Sequence, residues 1–397
     1  MSEIKVNSIK GVAASTAALT INNTDGTCTA NITNNLSNRN LIINGAMQVA
    51  QRATSSTTSG FGDLDRWKHE YGVVDESPTF AQVSLTSSDT PYTFGLTKAT
   101  KITNGNQTSG LQATSIINFM QAIEAQDIRN SGWNYTSDTS FITLSFWVRA
   151  SVAQNYHGFI KTADGTNYAY PFELGSLSAN TWTKITKTIP GNSNLTINDD
   201  SGAGLQIFPI TFLGTGYTGN SINNDAWMTW NSSTRTKDQT TTWFTTNDAT
   251  FEITGVQLEV GSVATDFEHR SFAQELALCQ RYLYVPIKDD GVISGNMALG
   301  GSGSFYSSNQ PYMNMDFPVT MRAAPTLSCV NKTNAFQFPS AGSACPTPTL
   351  SMIHAHTNAC TLNATTTQSV TAGFTSNPLF ASDQTSTDDG VYLSAEL

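Results

Sequence analysis

The 397-residue sequence predicts an all-β protein built from several units, and three observations lead to that class. Charged residues make up 13% of the chain and aromatics 10%. That balance suits a β-protein with a hydroxyl- and amide-covered surface, because disorder goes with few aromatics and high net charge. Short runs alternate apolar and polar residues at period two, punctuated by turn dipeptides such as Asn44-Gly45 and Asp164-Gly165. No internal repeat of roughly 20–50 residues is visible, so the chain is not a coil-by-coil β-solenoid.

The elements follow in order. Residues 1–40 carry short alternations at Ile4–Ile9, Leu19–Ile21 and Cys28–Ile32, with Asp25-Gly26 as a turn. They are too short and too few to bury a core, so they are expected to dock on another copy, a partner or the next domain. Residues 41–270 read as one large jelly-roll-like β-sandwich opened by a strand at Leu41-Ile42-Ile43. Trp67, His69, Tyr71 and Val73 alternate in it. Ile142, Leu144, Phe146 and Val148 fill one face of a strand with Phe141 and Trp147 on the other, the pattern of a central strand. Ile116–Glu124 fits a strand or a helix by periodicity. Pro209, inside the apolar run Leu205–Leu213, predicts a bend or bulge, and Gly255 predicts a bulge where the alternation of Phe251 and Ile253 slips to Val256 and Leu258. Ser271-x-x-Gln274 has capping-box spacing and opens a connecting helix, 271–285, with Leu276, Cys279 and Leu283 on one face. Residues 286–397 form a C-terminal β-sandwich-like domain ending on Val391, Leu393, Ala395 and Leu397.

Charge excludes several classes. A net charge of −10 and a pI near 4.9 argue against duplex nucleic acid and against an anionic membrane surface. No apolar run approaches a membrane span, so no membrane insertion is expected. The N-terminus has no apolar stretch of signal-peptide length, so the chain is expected to be made and folded in a cytoplasm. Five scattered cysteines are no disulfide framework and read as buried thiols.

Several segments resemble, in order, the tail-fibre-like proteins of marine bacteriophages. They are Ser2-Glu3-Ile4-Lys5-Val6-Asn7, the run Arg39–Val49 with Gln51-Arg52, and Asp65-Arg66-Trp67. Further on come Thr143–Val148, Ile253–Tyr284 and the proline-bracketed Pro318–Pro325. The resemblance also favours a strand near 115–124 followed by a helical turn around Asp127–Asn130. It implies a virion protein of a phage tail, usually a homotrimer, containing a carbohydrate-binding-module-like jelly roll. Its N-terminal segment would meet tail or adaptor proteins, and it would bind a host-surface glycan or outer-membrane receptor. It implies no catalytic residues and no cofactor. The alternatives are a tailspike-type polysaccharide-degrading enzyme and a structural adaptor or decoration protein without receptor contact.

Candidate chemistry is sparse. No nucleophile elbow, zinc-protease motif or phosphate loop occurs. Asp63 and Asp65, two apart, could share a face as a glycosidase pair does, or form a turn before Trp67. Asp199-Asp200 could ligate calcium but lacks EF-hand spacing. His354, His356 and Cys360 form the sharpest metal suggestion, with Cys329 and Cys345 upstream, although no knuckle spacing supports it. The long polar stretch Gly214–Asp248 holds Tyr217, Trp227, Trp230 and Trp243, aromatics that can stack on sugar faces or else cap a core. The distal unit offers Phe305, Tyr306 and Tyr312 among serines and glycines, and it is the favoured place for receptor contact.

Overall fold

The structure, a computed structural model, describes residues 38–288, 303–329, 350–366, 369–373 and 390–397. It also describes Val6 and the short strands Ser8–Ile9, Leu19–Ile21, Cys28–Ala30, Asn296–Ala298, Phe336–Ser340, Ser343–Thr347, Thr375–Ser376 and Leu379–Ala381. The first three of these strands form a small antiparallel sheet, as the alternations in residues 1–40 predict. The predicted Asp25-Gly26 turn lies outside the described residues.

Two six-stranded antiparallel sheets pack face to face around a single large core. One runs in the order Met228–Thr229, Tyr168–Leu177, Gln154–Thr162, Ala203–Leu213, Ile116–Glu124, Lys68–Gly72. The other runs Thr183–Pro190, Phe141–Ala150, Thr250–Val260, Lys98–Thr103, Thr79–Ser84, Ser55–Ser56. Ile142, Leu144, Phe146 and Val148 from one sheet meet Tyr156, Phe172, Ile207 and Phe212 from the other. Each such aromatic or aliphatic side chain contributes about 1.5–3 kcal/mol on burial. Trp67 lies flat on Phe119, ring centres 4.4 Å apart.

The predicted irregularities are present. The register slips between Thr254 and Gln257, where Gly255 sits at φ 62°, and again between Ile207 and Ile210 around Pro209. Gly45 needs its missing side chain, because a Cβ there would lie 2.1 Å from the Val256 carbonyl beside that first bulge. Ile116–Glu124 is a strand, and the short helix Ala125–Arg129 follows it. The predicted strand at Leu41-Ile42-Ile43 is a correction: the segment is irregular. Side-chain amides take the place of a ladder there. Asn40 accepts from the Ile42 and Leu258 amides and donates to the Val256 carbonyl. Gln121 accepts from the Ile43 amide at 2.9 Å and donates back to its carbonyl at 2.8 Å.

The connecting helix Phe272–Gln280 starts on the expected capping box of Ser271 and Gln274. Its buried face is rotated from the predicted one. The helix ends at Gln280, short of the expected 285, so Leu283 opens the next strand; on the helix Cys279 is buried, Leu276 is only half-buried, and Glu275 turns inward instead. The Glu275 carboxylate accepts from the Asn44 amide and pairs with Arg270, which is what draws an acidic side chain into the interior.

Beyond the helix, three small sheets build the distal unit. One joins Leu283–Lys288, Gly390–Ser394 and Thr326–Cys329, and one of five strands joins Leu350–Ile353, Ala359–Ala364, Gln310–Asp316, Gly303–Ser307 and Thr375–Ser376. A cluster of charged residues fixes this unit to the sandwich. Arg66 donates to Glu396 at 2.7 Å and to the Ala122 carbonyl, and its guanidinium lies 3.4 Å from the Tyr282 ring centre. Arg52 reaches the same Glu396 carboxylate at 3.2 Å. Arg281 grips Glu124 with two nitrogens, both at 2.7 Å. Arg322 donates to the carbonyls of Ala395, Glu396 and Ser201. Burial by itself would raise the Glu124 carboxyl, but the hydrogen bonds from Arg281 and Tyr282 hold it below its ordinary value. Asp65 is different. Burial pushes its carboxyl up to about 6, against the hydrogen bonds from Gln51.

Two outcomes follow from this cluster. The side chains of Arg66 and Glu396 are 1% and 5% exposed, so Glu396→Ala strands a buried cation and should cost about 3–5 kcal/mol in urea unfolding. Lys68→Ala at the half-exposed Lys68–Glu70 pair should cost under about 1 kcal/mol; equal losses would refute the distinction. For Asp65 the folded state holds a proton that the unfolded chain has already released between about pH 4 and 6. Stability therefore falls as pH rises through that window, opposite in sign to Glu124, whose contribution is lost as pH falls. Relative to Asp65→Asn, the parent should lose on the order of 3 kcal/mol across it, and a flat difference between the two pH profiles would contradict this.

Candidate functional site

The aromatics singled out in the sequence fall into three environments. Trp243 is fully buried: it stacks on Phe212 at 3.8 Å and donates its indole N–H to the Thr250 carbonyl. It caps the sandwich core and cannot meet a ligand. Phe305 is likewise buried, packed with Ala364, because alternation along Gly303–Ser307 turns it inward. Both are corrections to the candidate contact set. Trp227 is half-buried, edge-on to Tyr170, with its indole N–H on the Pro190 carbonyl at 2.7 Å. Tyr217 and Trp230 lie half-buried on the outer face of the sandwich, and Tyr306 and Tyr312 lie on the outer face of the five-stranded distal sheet.

That distal face is built by strict alternation. Pro311, Met313 and Met315 point into the core, as do Cys360, Leu362 and Ala364, leaving Tyr312, Asn314, Thr361 and Asn363 outward. Antiparallel register then aligns Thr375, Ser304, Tyr312, Asn363 and Ser351 in one row across all five strands. Asn314 and Thr361 pair in the next row, the Thr361 hydroxyl donating to the Asn314 side-chain oxygen at 2.9 Å. Tyr306 is 72% exposed and parallel to Tyr312, ring centres 5.2 Å apart and planes within 2°. A hollow of about 460 Å³ beside this pair is bounded by Gly303, Ser304, Tyr312, Asn314, His354, Thr361 and Thr375. A flat aromatic pair bordered by hydroxyls and amides offers both things a sugar needs, a surface for its C–H face and partners for its hydroxyls. Sequence reasoning found the two tyrosines but not Ser304, Asn314, Thr361 and Asn363. Their signal was present as outward positions between buried methionines, Cys360 and Leu362.

The metal suggestion does not assemble. Cys360 faces the distal core, whereas His354 and His356 are exposed in the loop after Leu350–Ile353, with His354 at φ 51°. Burial pushes the Cys360 and Cys329 thiols up to about 11, away from the thiolate a metal requires. Among the described residues no group of three or more His, Cys, Asp or Glu side chains could hold a metal ion. Asp199 and Asp200 lie in an exposed loop, where Asp200 accepts from the Gly202 amide.

The Asp63–Asp65 pair is also corrected, since both carboxylates are buried and engaged in different directions. Asp63 lies 3.0 Å from His69, whose ring stacks on Phe80, while Asp65 accepts from Gln51. Neither can reach a glycosidic bond.

The sandwich carries a second polar row, of which His157, Thr211 and Asn118 are buried. On the outside of the sheet that contains Gln154–Thr162, register places Glu173, His157, Thr211, Asn118 and Glu70 in one row across five strands. Beside it Phe159 and Phe208 stack at 4.1 Å. Trp230 leans on Phe159, ring centres 5.6 Å apart, with Lys161 and Arg235 around the indole. Burial depresses the His157 pKa, the Glu173 carboxylate opposing it.

No protein-family model and no curated protein sequence matches this chain. Among solved structures, it is similar over 56% of its length to a putative sugar-binding protein from Bacteroides thetaiotaomicron, at 12% identity and a TM-score of 0.31, covering all of that chain. The enzymatically active domain of tailspike protein 4 of bacteriophage CBA120 aligns with 56% of this chain at 11% identity and a TM-score of 0.29, and the match spans only 21% of the tailspike domain. The tripod from the baseplate of bacteriophage Tuc2009 aligns with 60% of each chain at 12% identity and a TM-score of 0.25.

Proposed function

We propose that this chain is a non-catalytic receptor-binding protein of a phage tail, a fibre that attaches through its N-terminal strands and binds a host-surface glycan through the distal sheet. The observation that carries the reading is the parallel, stacked and solvent-facing Tyr306–Tyr312 pair among uncharged hydroxyls and amides. A core-packing tyrosine would not stand 72% exposed, and among the described residues no carboxylate borders the hollow, whereas a glycosidase uses a carboxylate pair. The ordered run of segments resembling marine phage tail fibres supports the virion assignment. A homotrimer supplies the docking partner that the N-terminal strands need, since two- and three-residue strands cannot bury a core alone.

Three measurements test this. Light scattering should give three times 42.7 kDa; a monomer would remove the proposed assembly. Tyr306→Ala should leave thermal melting essentially unchanged while reducing cell adsorption about twofold to tenfold, since one aromatic stacking contact is worth about 0.5–1.5 kcal/mol. Adsorption at the parental level would sink the distal site. Incubation with host polysaccharide should release no oligosaccharide, and release would make the protein an enzyme.

A further inference from the structure

The outer face of the sandwich carries an arrangement that neither the fold nor the distal site uses. Lys161 and Arg235 both stand over Trp230, at 4.9 Å and 5.5 Å from its ring centre, and Arg235 also lies 4.3 Å from the Tyr217 ring. All four side chains are half-buried, so they form a platform and not a closed pocket. The surrounding bonds leave the two cations largely unspent. Among the described residues Lys161 donates only to the Gln206 side-chain oxygen, at 3.3 Å. Arg235 donates Nε to the Ser232 carbonyl, and its terminal nitrogens donate to none of the described residues. Neither forms an ion pair among the described residues.

The nearest attracting acid is Glu70, and its carboxylate is already held by Lys68 at 2.8 Å and by the Asn118 amide. Burial depresses the Lys161 pKa, and the neighbouring Arg235 charge depresses it further; burial likewise depresses that of Arg235. Two like charges held together at that cost, against an indole and a phenol, are what an incoming anion would relieve. The planar rings add the feature that separates a saccharide from a bare ion. They offer a face for a pyranose while the guanidinium and ammonium take a charged substituent on it.

From this geometry we infer that Tyr217, Trp230, Lys161 and Arg235 form a second saccharide site, selective for sugars carrying an acidic group, such as a uronate carboxylate or a sulfate ester. The inference rests on the reading of the chain as a glycan binder, but it concerns a different face from the uncharged Tyr306–Tyr312 surface, so the two can fail separately.

The full-length protein is titrated with polygalacturonate, dextran sulfate and unmodified dextran, with a DNA duplex as a non-saccharide polyanion. Binding of polygalacturonate or dextran sulfate, weakened by salt and with no binding of dextran at this face, is expected, and the preferred polymer identifies the acidic group. Arg235→Gln should weaken that binding about tenfold or more, as loss of a charge-assisted contact does. Lys161→Gln should act in the same direction, and serves in its place if Arg235→Gln lowers the melting temperature. Tyr306→Ala should leave acidic-polymer binding unchanged while it lowers cell adsorption. No binding of either acidic polymer, equal binding of the DNA duplex, or full binding by both glutamine variants would overturn the assignment. Loss of acidic-polymer binding in Tyr306→Ala would move it to the distal face.

Discussion

A guanidinium buried without a counter-charge is among the costliest features a fold can carry, and this chain brings four arginines to one junction. Arg66 and Arg52 converge on Glu396, Arg281 takes Glu124 in a two-pronged grip, and Arg322 spends itself on three backbone carbonyls. The orientation of the helix, the seating of the distal sheets and the end of the strand Ile116–Glu124 all answer to that demand. Arg52, Arg66 and Arg322 all meet Ala395–Glu396 while Arg281 meets Glu124, so the C-terminal residues cannot shift without exposing several charges. Desolvated pairs of this kind contribute little net stability compared with apolar packing, but their geometry admits few alternatives. The orientation of the distal face relative to the sandwich is thus set by charge placement more than by apolar area.

The same junction gathers residues from segments spread along the chain. Gln51-Arg52, Asp65-Arg66-Trp67, Arg281-Tyr282 and Arg322 look unrelated along the chain, yet they meet in space. A segment that must present an arginine to a partner far away in sequence is constrained in a way that a solvent-facing loop is not. The two polar faces obey no such constraint. One is uncharged, flat and open, whereas the other gathers two cations around an indole.

What could be read from the residues was mostly local. The capping box at Ser271, the bulge at Gly255, the bend at Pro209 and the alternation of the distal strands each depend on neighbours within a few positions. The strand expected at Leu41-Ile42-Ile43 failed because Asn40 and Gln121 supply its hydrogen bonds from their side chains, a substitution invisible to hydrophobic patterning. Burial of Trp243 and Phe305 failed for another reason. An aromatic in a polar stretch reads as exposed until the opposite sheet is in place to cover it. The outward rows of both faces needed register between strands up to about a hundred residues apart, such as Asn118 beside Thr211, which no single-strand pattern contains.

Arg66 and Glu396 lie 330 positions apart, and that separation has a consequence for how the protein is made. Synthesis proceeds from the N-terminus, so the sandwich strands emerge and begin to pair while the carboxylate that neutralises Arg66 is still untranslated. Until it arrives, Arg66 has the Ala122 carbonyl and the Tyr282 ring but no counter-charge, which keeps that seam hydrated and open. Closure of such a distant contact is slow, because the chain entropy of the loop must be overcome first. A nascent chain stalled after the sandwich strands are complete but short of Glu396 would thus carry a formed core and an unsealed flank, the surface a ribosome-bound chaperone would be expected to cover.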